Sequence, residues 1–246
     1  MINSPLLTRL GGFVDGQWLA PREPGIAVRN PSTGEPLAEV PDLGAEQTRR
    51  AIDAAGRAMA AMPGIEQRRG WLEQIAGRLA AHRSELARLI TLEQGKPLKE
   101  SATEVDYAAG FFRFFADQLE HLRPRVAADS VKECRWVVHS RPAGVCGLIT
   151  PWNFPLAMLA KKLSAAIGAW CGVVARPAQQ TPLTPIALWN LLESMDLPPG
   201  LLNLVTGRPG PISEALFAHP RVRLVSFTGS TQVGTLLIAQ SARHVK

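Results

Sequence analysis

The sequence predicts an α/β fold in which N-terminal helices and a β-hairpin arm accompany a doubly wound parallel sheet. Two patterns lead to this prediction. From residue 143 onward, short apolar strands alternate with helical segments four times, which is typical of a parallel sheet covered by helices on both faces. Between residues 44 and 121, apolar residues recur instead at spacings of three and four, which indicates a run of helices.

The individual elements follow from turn residues and periodicity. Short strand pairs are predicted around turn residues over 13–19 and 27–41. Helices are predicted over 44–62, 66–81, 84–93, 98–121, 156–169, 183–195, 212–220 and from 231. Further strands are predicted over 137–150, with a turn near Arg141 and Pro142, and over 171–177, 201–207 and 222–230.

The composition is that of a soluble globular protein. The chain has 246 residues, of which 46% are hydrophobic and 20% charged, so it can bury a substantial core. Its net charge of +6 is scattered in pairs rather than gathered in a block, so we expect small anions such as dinucleotides, not nucleic acid, as partners. Three cysteines without a CxxC motif predict neither a disulfide framework nor a metal site, and they fit the reducing cytoplasm.

No targeting or membrane-spanning segment is expected. The N-terminus lacks a basic region followed by an apolar stretch, so it is not a secretory signal. The uncharged run over 142–160 is long, but it contains Pro151, Asn153 and Pro155 and ends at two lysines. We therefore interpret it as a buried strand, a turn and a helix rather than as a membrane span.

Three strand-to-helix turns, at 150–155, 176–181 and 227–231, form the predicted ligand-binding edge. In open α/β sheets, ligands bind outside the carboxyl ends of the strands. In the third turn, Gly229 would let a ligand approach the backbone, and Ser230 would begin a helix whose N-terminus favours phosphate. An ordinary turn and helix cap explains these residues equally well. The GxGxxG pattern and the Walker lysine are absent.

The other two turns allow a functional and a structural interpretation each. Arg176, at a strand end, could reach ribose hydroxyls or phosphate, although a surface arginine is the better reading of that turn alone. In the first turn, Pro151 and Pro155 fix the backbone and could aim the Asn153 amide as an oxyanion-hole donor. The alternative, favoured on the turn by itself, is that Asn153 caps the following helix while Trp152 and Phe154 fill the core.

Taken together, these motifs resemble the aldehyde dehydrogenase superfamily. The segments TPWNFPLAM, RPAQQTPLTPIAL and SFTGSTQVG occur in its order and spacing, and LEQGKPLKES, VDYAAGFFRFFA and the opening DGQW…NPSTGEPLAEVP resemble its succinate-semialdehyde dehydrogenase-like members. The resemblance implies a Rossmann-like NAD(P)-binding domain at 143–246, a bridging and oligomerisation hairpin at 124–142, and N-terminal strands and helices at 1–123. It implies a truncated aldehyde dehydrogenase architecture without the catalytic domain.

The resemblance also implies roles for individual residues. Asn153 would be the oxyanion-hole amide, and Lys161 would face the substrate. The implied cofactor-binding residues are Ile149, Thr150, Pro151 and Trp152 beside the nicotinamide, Arg176 and Gln179 at the adenosine ribose, and Phe227, Thr228, Gly229, Ser230 and Val233, with Ser230 at the pyrophosphate. In the family, a cysteine thiolate attacks the aldehyde, hydride passes to NAD(P)⁺, and a glutamate-activated water releases the acid.

The chain departs from the family pattern at several positions. The general-base glutamate and the nucleophilic cysteine of the family are expected beyond Lys246, and no cysteine here matches the nucleophile motif. Cys146 is interpreted as a strand-core residue, and Cys134 and Cys171 lie near strand edges. There are four smaller departures. Arg176 stands where the family has lysine, and Ser213 stands where it often has a second loop glycine. Trp170 stands where it has a turn glycine, so a large ring could strain the packing, and Lys161 stands where succinate-semialdehyde members have an arginine that holds the substrate carboxylate.

Gln179 bears on the choice of cofactor. NAD-preferring members carry a glutamate there, which accepts hydrogen bonds from the ribose hydroxyls and repels a 2′-phosphate. Gln179 removes that repulsion and Arg176 adds a cation. We therefore expect NADP(H) to bind at least as well as NAD(H).

Three functions stay open at this point. The chain could be the N-terminal half of an NAD(P)-dependent aldehyde dehydrogenase that produces a carboxylic acid such as succinate, and we expect it to be inactive alone. It could be a non-catalytic NAD(P)-binding or interaction fragment, which forms a homo-oligomer or associates with a complementary C-terminal half through edges such as 124–142. It could also be a degenerate product without a stable fold.

Overall fold

The computed structural model describes residues 2–21, 25–127, 136–244 and 246, and it confirms the α/β fold. The strands are β1 (Gly12–Val14), β2 (Gln17–Leu19), β3 (Ile26–Arg29), β4 (Pro36–Val40), β5 (Arg125–Ala127), β6 (Trp136–Val138), β7 (Val145–Ile149), β8 (Val173–Arg176), β9 (Leu202–Leu204) and β10 (Val222–Phe227). The helices are α1 (Gly44–Ala58), α2 (Ile65–Ala81), α3 (Arg83–Gln94), α4 (Leu98–Gln118), α5 (Ala157–Gly168), α6 (Leu183–Leu192), α7 (Pro209–Ala218) and α8 (Thr231–Ser241), and a short 3-10 helix spans Leu119–Leu122.

The main sheet has six strands in the order β10-β7-β8-β9-β1-β2. The first four are parallel, as predicted. The sequence did not predict that the N-terminal hairpin β1–β2 would extend this sheet in antiparallel fashion. It does so because Gly12 lets β1 approach β9, where a side chain would collide with the Leu204 carbonyl oxygen at 2.9 Å. In addition, the Asp15 backbone N–H donates to Asn203 Oδ1 at 2.9 Å.

Helices cover both faces of the sheet. On one face, α1 and α7 enclose a core that includes Ile52, Val174 and Leu216. On the other face, helices α2 to α6 enclose a larger core around Leu72 and Phe112. Because apolar contacts run without interruption from the N-terminal helices to the sheet, these helices hold the strands in position from one side. The predicted domain boundaries near residues 123 and 143 stay predictions.

The remaining sequence predictions differ from the structure mainly at element ends. The helix predicted to run to residue 121 ends at Gln118 and continues as a 3-10 turn. Helix α7 begins at Pro209 rather than at residue 212, which fits proline at the first positions of a helix. The stretch 142–160 forms a strand, a turn and a helix, as predicted. Within the described part of the chain, every helix is too short or too polar to span a bilayer.

The hairpin β5–β6 stands apart from the main sheet and presents apolar side chains to solvent. Its strands pair in antiparallel register, with Val126 opposite Val137. Both of these side chains and that of Trp136 are exposed. Cys134, which was predicted near a strand edge, lies outside the described residues.

Trp170 occupies the turn between α5 and β8 in a left-handed conformation, with φ at +57°. Its ring is 1% exposed, stacks on Trp71 at a centroid distance of 5.9 Å, and donates from Nε1 to the Met59 carbonyl at 3.2 Å. The large ring is therefore well accommodated, and the strain expected at this position lies in the backbone instead.

Candidate functional site

The three predicted turns lie side by side at the carboxyl edge of the parallel strands. Ile149 at the end of β7 pairs with Arg176 on β8 and with Phe227 on β10. Backbone hydrogen bonds continue past the strands, from Thr150 N–H to the Arg176 carbonyl at 3.3 Å and from Thr228 N–H to the Ile149 carbonyl at 3.1 Å. The first turn is therefore flanked by the other two.

The first turn projects its aromatic side chains and its amide outward. Trp152 is 52% exposed, Phe154 is 41% exposed, and Asn153 is exposed. The residue that precedes α5 is Leu156, and it makes no side-chain cap hydrogen bond. The structural alternative for this turn is therefore wrong, because Asn153 caps no helix and its aromatic neighbours do not fill the core.

A lysine from the preceding helical region holds this turn, which the sequence did not predict. Lys96 Nζ donates to the Asn153 backbone carbonyl at 2.7 Å and lies 3.9 Å from the centre of the Phe154 ring. It also forms an ion pair with Glu104 at 2.7 Å, and both side chains are almost completely buried. The backbone of Asn153 is thus anchored by a buried cation as well as by the neighbouring prolines.

Two glutamates from α3 and α4 cap the helices that follow the first and second turns. Glu104 Oε1 accepts hydrogen bonds from the Leu156 and Ala157 N–H groups at 2.9 and 3.1 Å, at the start of α5. Glu93 accepts from Leu183 and Thr184 N–H at 2.7 Å each, at the start of α6. Complete burial raises the pKa of Glu93 to about 7. The N-terminal helices therefore fix both turns by satisfying free helix N–H groups.

The second turn carries a buried arginine at its start. Arg176 is 9% exposed, and its Nη2 donates to the Gly207 carbonyl at 3.3 Å. Its Nε has no hydrogen-bond partner among the described residues, and burial lowers the pKa of this guanidinium. Gln179 lies half-buried farther along the same turn. Thr181 Oγ1 donates to the Trp152 carbonyl at 3.3 Å, which ties the second turn to the first.

The third turn joins β10 to α8 as predicted. Ser230 caps α8, and its Oγ accepts from the Val233 N–H at 3.3 Å. Any side chain at position 229 would overlap the Phe227 ring, so Gly229 is required by packing. Ser230 and Val233 are exposed, whereas Phe227 and Thr228 are half-buried. The turn thus presents an open helix N-terminus beside Ile149.

Lys161 lies on α5 beside an aromatic cleft of about 370 Å³. Its Nζ is 5.9 Å from the centre of the Phe111 ring. The other residues lining the cleft are Tyr107, Gly110, Phe114 and Phe115 of α4. The neighbouring Lys162 turns away from the cleft and donates to Ser226 Oγ on β10 at 3.0 Å. Lys161 is therefore an accessible cation on a largely apolar surface.

Cys146 and Cys171 lie away from this edge, near the amino ends of β7 and β8. Both are buried. Cys146 Sγ donates to the Gly144 carbonyl at 3.8 Å, and Cys171 Sγ donates to the Ala169 carbonyl at 3.9 Å. The neighbouring Cys171 thiol, together with burial, raises the pKa of Cys146. The structure confirms Cys146 as a core residue of its strand, and neither thiol is near Asn153 along the strands.

Comparison with known proteins identifies the relatives of the chain. The family model described as "Aldehyde dehydrogenase family" matches residues 18–246. The chain is 40% identical to the Escherichia coli (strain K12) succinate-semialdehyde dehydrogenase (NADP(+)) GabD, over 100% of this chain and 52% of the relative. It is 39% identical to a Pseudomonas aeruginosa glutarate-semialdehyde dehydrogenase, over 98% of this chain and 50% of the relative.

Solved structures give the same result. An oxidoreductase from Marinobacter aquaeolei superposes with a TM-score of 0.96 at 45% identity, and a succinate-semialdehyde dehydrogenase from Burkholderia pseudomallei with a TM-score of 0.94 at 40% identity. Both matches cover 100% of this chain and 52% of the solved chain. The chain therefore spans about half the length of the relatives it matches.

Proposed function

This chain belongs to the aldehyde dehydrogenase family, and from that premise we propose that it provides the NAD(P)-binding part of an NAD(P)-dependent aldehyde dehydrogenase. The observation that carries the proposal is the register of β10, β7 and β8, which sets Ile149 between Phe227 and Arg176. All three turns that would contact a dinucleotide thereby meet at one edge of the sheet. This is the edge at which open α/β sheets bind their ligands.

The residues of this edge fit a dinucleotide. Ser230 begins α8, where free N–H groups and the helix dipole would hold the pyrophosphate. Arg176 has an unpartnered Nε among the described residues and would lie, with Gln179, at the adenosine ribose. Thr150 also has a buried Oγ1 without a described partner, and with Ile149 it would line the nicotinamide side. When bound, the cofactor supplies the acceptor for hydride.

The residues of the first turn would act on the substrate carbonyl and on the cofactor ring. We propose that Asn153 donates its side-chain N–H to the oxygen that becomes negatively charged when the aldehyde is attacked. Its backbone is held by Lys96, so the amide starts from a fixed position. Pro151 and Trp152 would border the nicotinamide, and Phe227, Thr228, Gly229 and Val233 would complete the wall beside β10.

The aromatic cleft supports a substrate with a distal carboxylate. Lys161 is the cation that borders it, and Phe111 and Phe114 provide apolar walls. A semialdehyde such as succinate semialdehyde could place its carboxylate against Lys161 while its carbonyl lies toward Asn153. Because an ammonium is a point charge rather than a fork, Lys161→Arg should lower the KM for such a substrate in any active assembly.

We expect the chain on its own to bind cofactor without oxidising aldehydes. Both described cysteines are buried at the opposite end of the strands from Asn153, so neither can supply the thiolate attack at that amide. Turnover would require a nucleophile from outside the described residues. An assay with succinate semialdehyde and NADP⁺ that gives sustained NADPH production by the purified chain would refute this expectation.

A fluorescence titration with NADPH and NADH tests the proposed site directly. Arg176→Met should weaken NADPH binding at least tenfold because it removes the buried cation. Arg208→Gln is the matched control, since Arg208 is an exposed arginine that pairs with Asp42. Equal NADPH affinity of Arg176→Met and the wild-type chain would show that this edge is not the cofactor site.

A second candidate function, association with another polypeptide, rests on the outer edge of the sheet. Helix α8 has no buried residue, with Leu236 60% exposed and Ile238 70% exposed. Strand β10 has no partner on its outer side among the described strands. Exposed apolar surface beside an unpaired strand favours association. We propose that this surface receives either a complementary C-terminal half or a second copy of the chain.

Sedimentation velocity over a hundredfold concentration range, with and without a separately expressed C-terminal half of a relative, distinguishes these partners. A stable complex only with the C-terminal half supports complementation, and a concentration-dependent dimer supports self-association. Ile238→Glu should weaken either complex. A monomer under all conditions would refute the association function while leaving the cofactor proposal intact.

The third alternative, a chain without a stable fold, predicts the absence of a cooperative urea transition.

A further inference from the structure

A second cavity, of about 800 Å³, lies at the amino-terminal edge of the strands, away from the proposed cofactor site. It is open to solvent and is lined by the start of α2, the turn at Trp170 that precedes β8, and the segment 139–142. Because the three cofactor turns follow the carboxyl ends of the strands, this cavity belongs to a different end of the sheet. The proposed dehydrogenase function does not use it.

The lining of the cavity combines apolar walls with cations. Met59, Ile65 and Leu122 provide apolar surface. The charged or titratable side chains that line it are Arg68, His139 and Arg141. No aspartate or glutamate is among the described lining residues. The walls therefore favour an apolar body, and the charges favour an anionic group.

Arg68 is the residue that points most strongly to a missing ligand. It is only 5% exposed, its Nη1 donates to the Gly168 carbonyl, and its Nε has no partner among the described residues. It takes part in no salt bridge within the described part of the chain, and burial lowers the pKa of its guanidinium. Buried charges are normally paired, as Lys96 is with Glu104. A buried guanidinium that lines a cavity and has no carboxylate partner among the described residues would be stabilised by a carboxylate bound there.

The start of α2 adds to the positive potential. The residue before the helix is Gly64, which offers no side chain to cap the free N–H groups, and both Gly64 and Ile65 line the cavity. These groups carry the positive end of the helix dipole. The cavity thus receives positive potential from the helix N-terminus as well as from the side chains.

We propose that this cavity binds an amphipathic carboxylate, with the carboxylate facing Arg68 and Arg141 and the apolar body lying against Met59 and Ile65. The cavity is larger than a bare inorganic anion, and such an anion would make no favourable contact with the apolar walls. A neutral amphiphile of the same length lacks the group that would pair with Arg68. The ligand class is therefore defined by the combination of a charged head and an apolar body.

Isothermal titration with octanoate, octanol and acetate tests this proposal on the purified chain. Octanoate should bind at least tenfold more tightly than either octanol or acetate. Arg141→Gln should weaken octanoate binding threefold or more, and Arg68→Gln should weaken it further. Arg113→Gln, which removes an exposed arginine outside the cavity, should leave binding unchanged.

Two results in the octanoate titrations would overturn the proposal. The first is equal affinity for octanoate and octanol, and the second is octanoate binding that Arg141→Gln leaves unchanged. The decision does not depend on Arg68→Gln folding, because Arg141 is exposed and its replacement should be tolerated. NADPH titrations in saturating octanoate separate the two sites: unchanged NADPH affinity is expected, whereas direct competition would place octanoate at the cofactor edge and refute a distinct site.

Discussion

Replacing Trp170 by glycine and by alanine separates two opposing contributions to stability at one position. Both variants lose a ring that is 1% exposed, stacks on Trp71 and donates a hydrogen bond to Met59. Removing a buried ring of this size costs about 3–5 kcal/mol. Both variants should therefore unfold at clearly lower urea concentration than the wild-type chain.

The difference between the two variants comes from the backbone, because φ at Trp170 is +57°. A left-handed conformation costs a residue with a Cβ roughly 1–2 kcal/mol, and glycine avoids this cost. Glycine in turn gives the unfolded chain more freedom, which costs about 0.4–1 kcal/mol. The balance predicts that Trp170→Gly is more stable than Trp170→Ala by roughly 0.5–1 kcal/mol. At most positions in helices and strands the alanine variant is the more stable one.

Urea denaturation monitored by circular dichroism measures this difference, provided that the variants have equal m-values. Ala169→Gly is the matched control, because the adjacent Ala169 has φ at −80° and should lose about 0.5–1 kcal/mol on replacement by glycine. If Trp170→Ala is as stable as Trp170→Gly or more stable, the backbone at this position is not strained and the argument fails.

Three further predictions concern the site. Gln179→Glu should reduce NADPH affinity at least tenfold relative to NADH, measured by fluorescence titration, and an unchanged ratio would contradict placement of Gln179 near the 2′-phosphate. Burial raises the pKa of Glu93 from 4.5 to about 7, so between these pH values the folded state binds more protons than the unfolded state. The free energy of unfolding should therefore fall by up to about 3 kcal/mol as pH rises from 4.5 to 7. Urea titrations should show that Glu93→Gln abolishes this decline, and a parallel decline in the variant would be inconsistent with the assignment. Lys96→Met should lower the free energy of unfolding by about 3–5 kcal/mol, because it leaves Glu104 buried and unpaired. The double variant Lys96→Met/Glu104→Gln should recover part of this loss, whereas additive losses would argue against a coupled pair.

The grouping of the three turns could be predicted from sequence, and their anchoring could not. Parallel strands align their carboxyl ends, so recognising β7, β8 and β10 as parallel is enough to bring Asn153, Arg176 and Ser230 to one edge. The anchoring depends on contacts between residues distant in sequence. Periodicity gives no indication that Lys96 reaches the carbonyl of Asn153, or that Glu93 caps a helix that begins ninety residues later.

The errors in the sequence interpretation have a common physical origin. Aromatic residues are usually buried, so the structural alternative predicts Trp152 and Phe154 in the core, yet tertiary placement leaves both exposed. A three-residue strand carries almost no periodic signal, so the sequence does not predict that β1 extends the sheet. In both cases the decisive information was the position of a neighbouring element rather than the local composition.

Among the elements of the proposed cofactor site, helix α8 is held by the fewest contacts with the rest of the protein. It has 11 residues, none of them fully buried, and it meets the core only through partly buried side chains such as Leu237. A helix of this length is marginal in water without tertiary contacts, so these few contacts and the cap at Ser230 hold it. A dinucleotide whose phosphates rest on its first turn would have to immobilise the whole segment, which consumes part of the binding free energy. Any polypeptide that packs on the apolar side of α8 would therefore raise the affinity for the dinucleotide without contacting it.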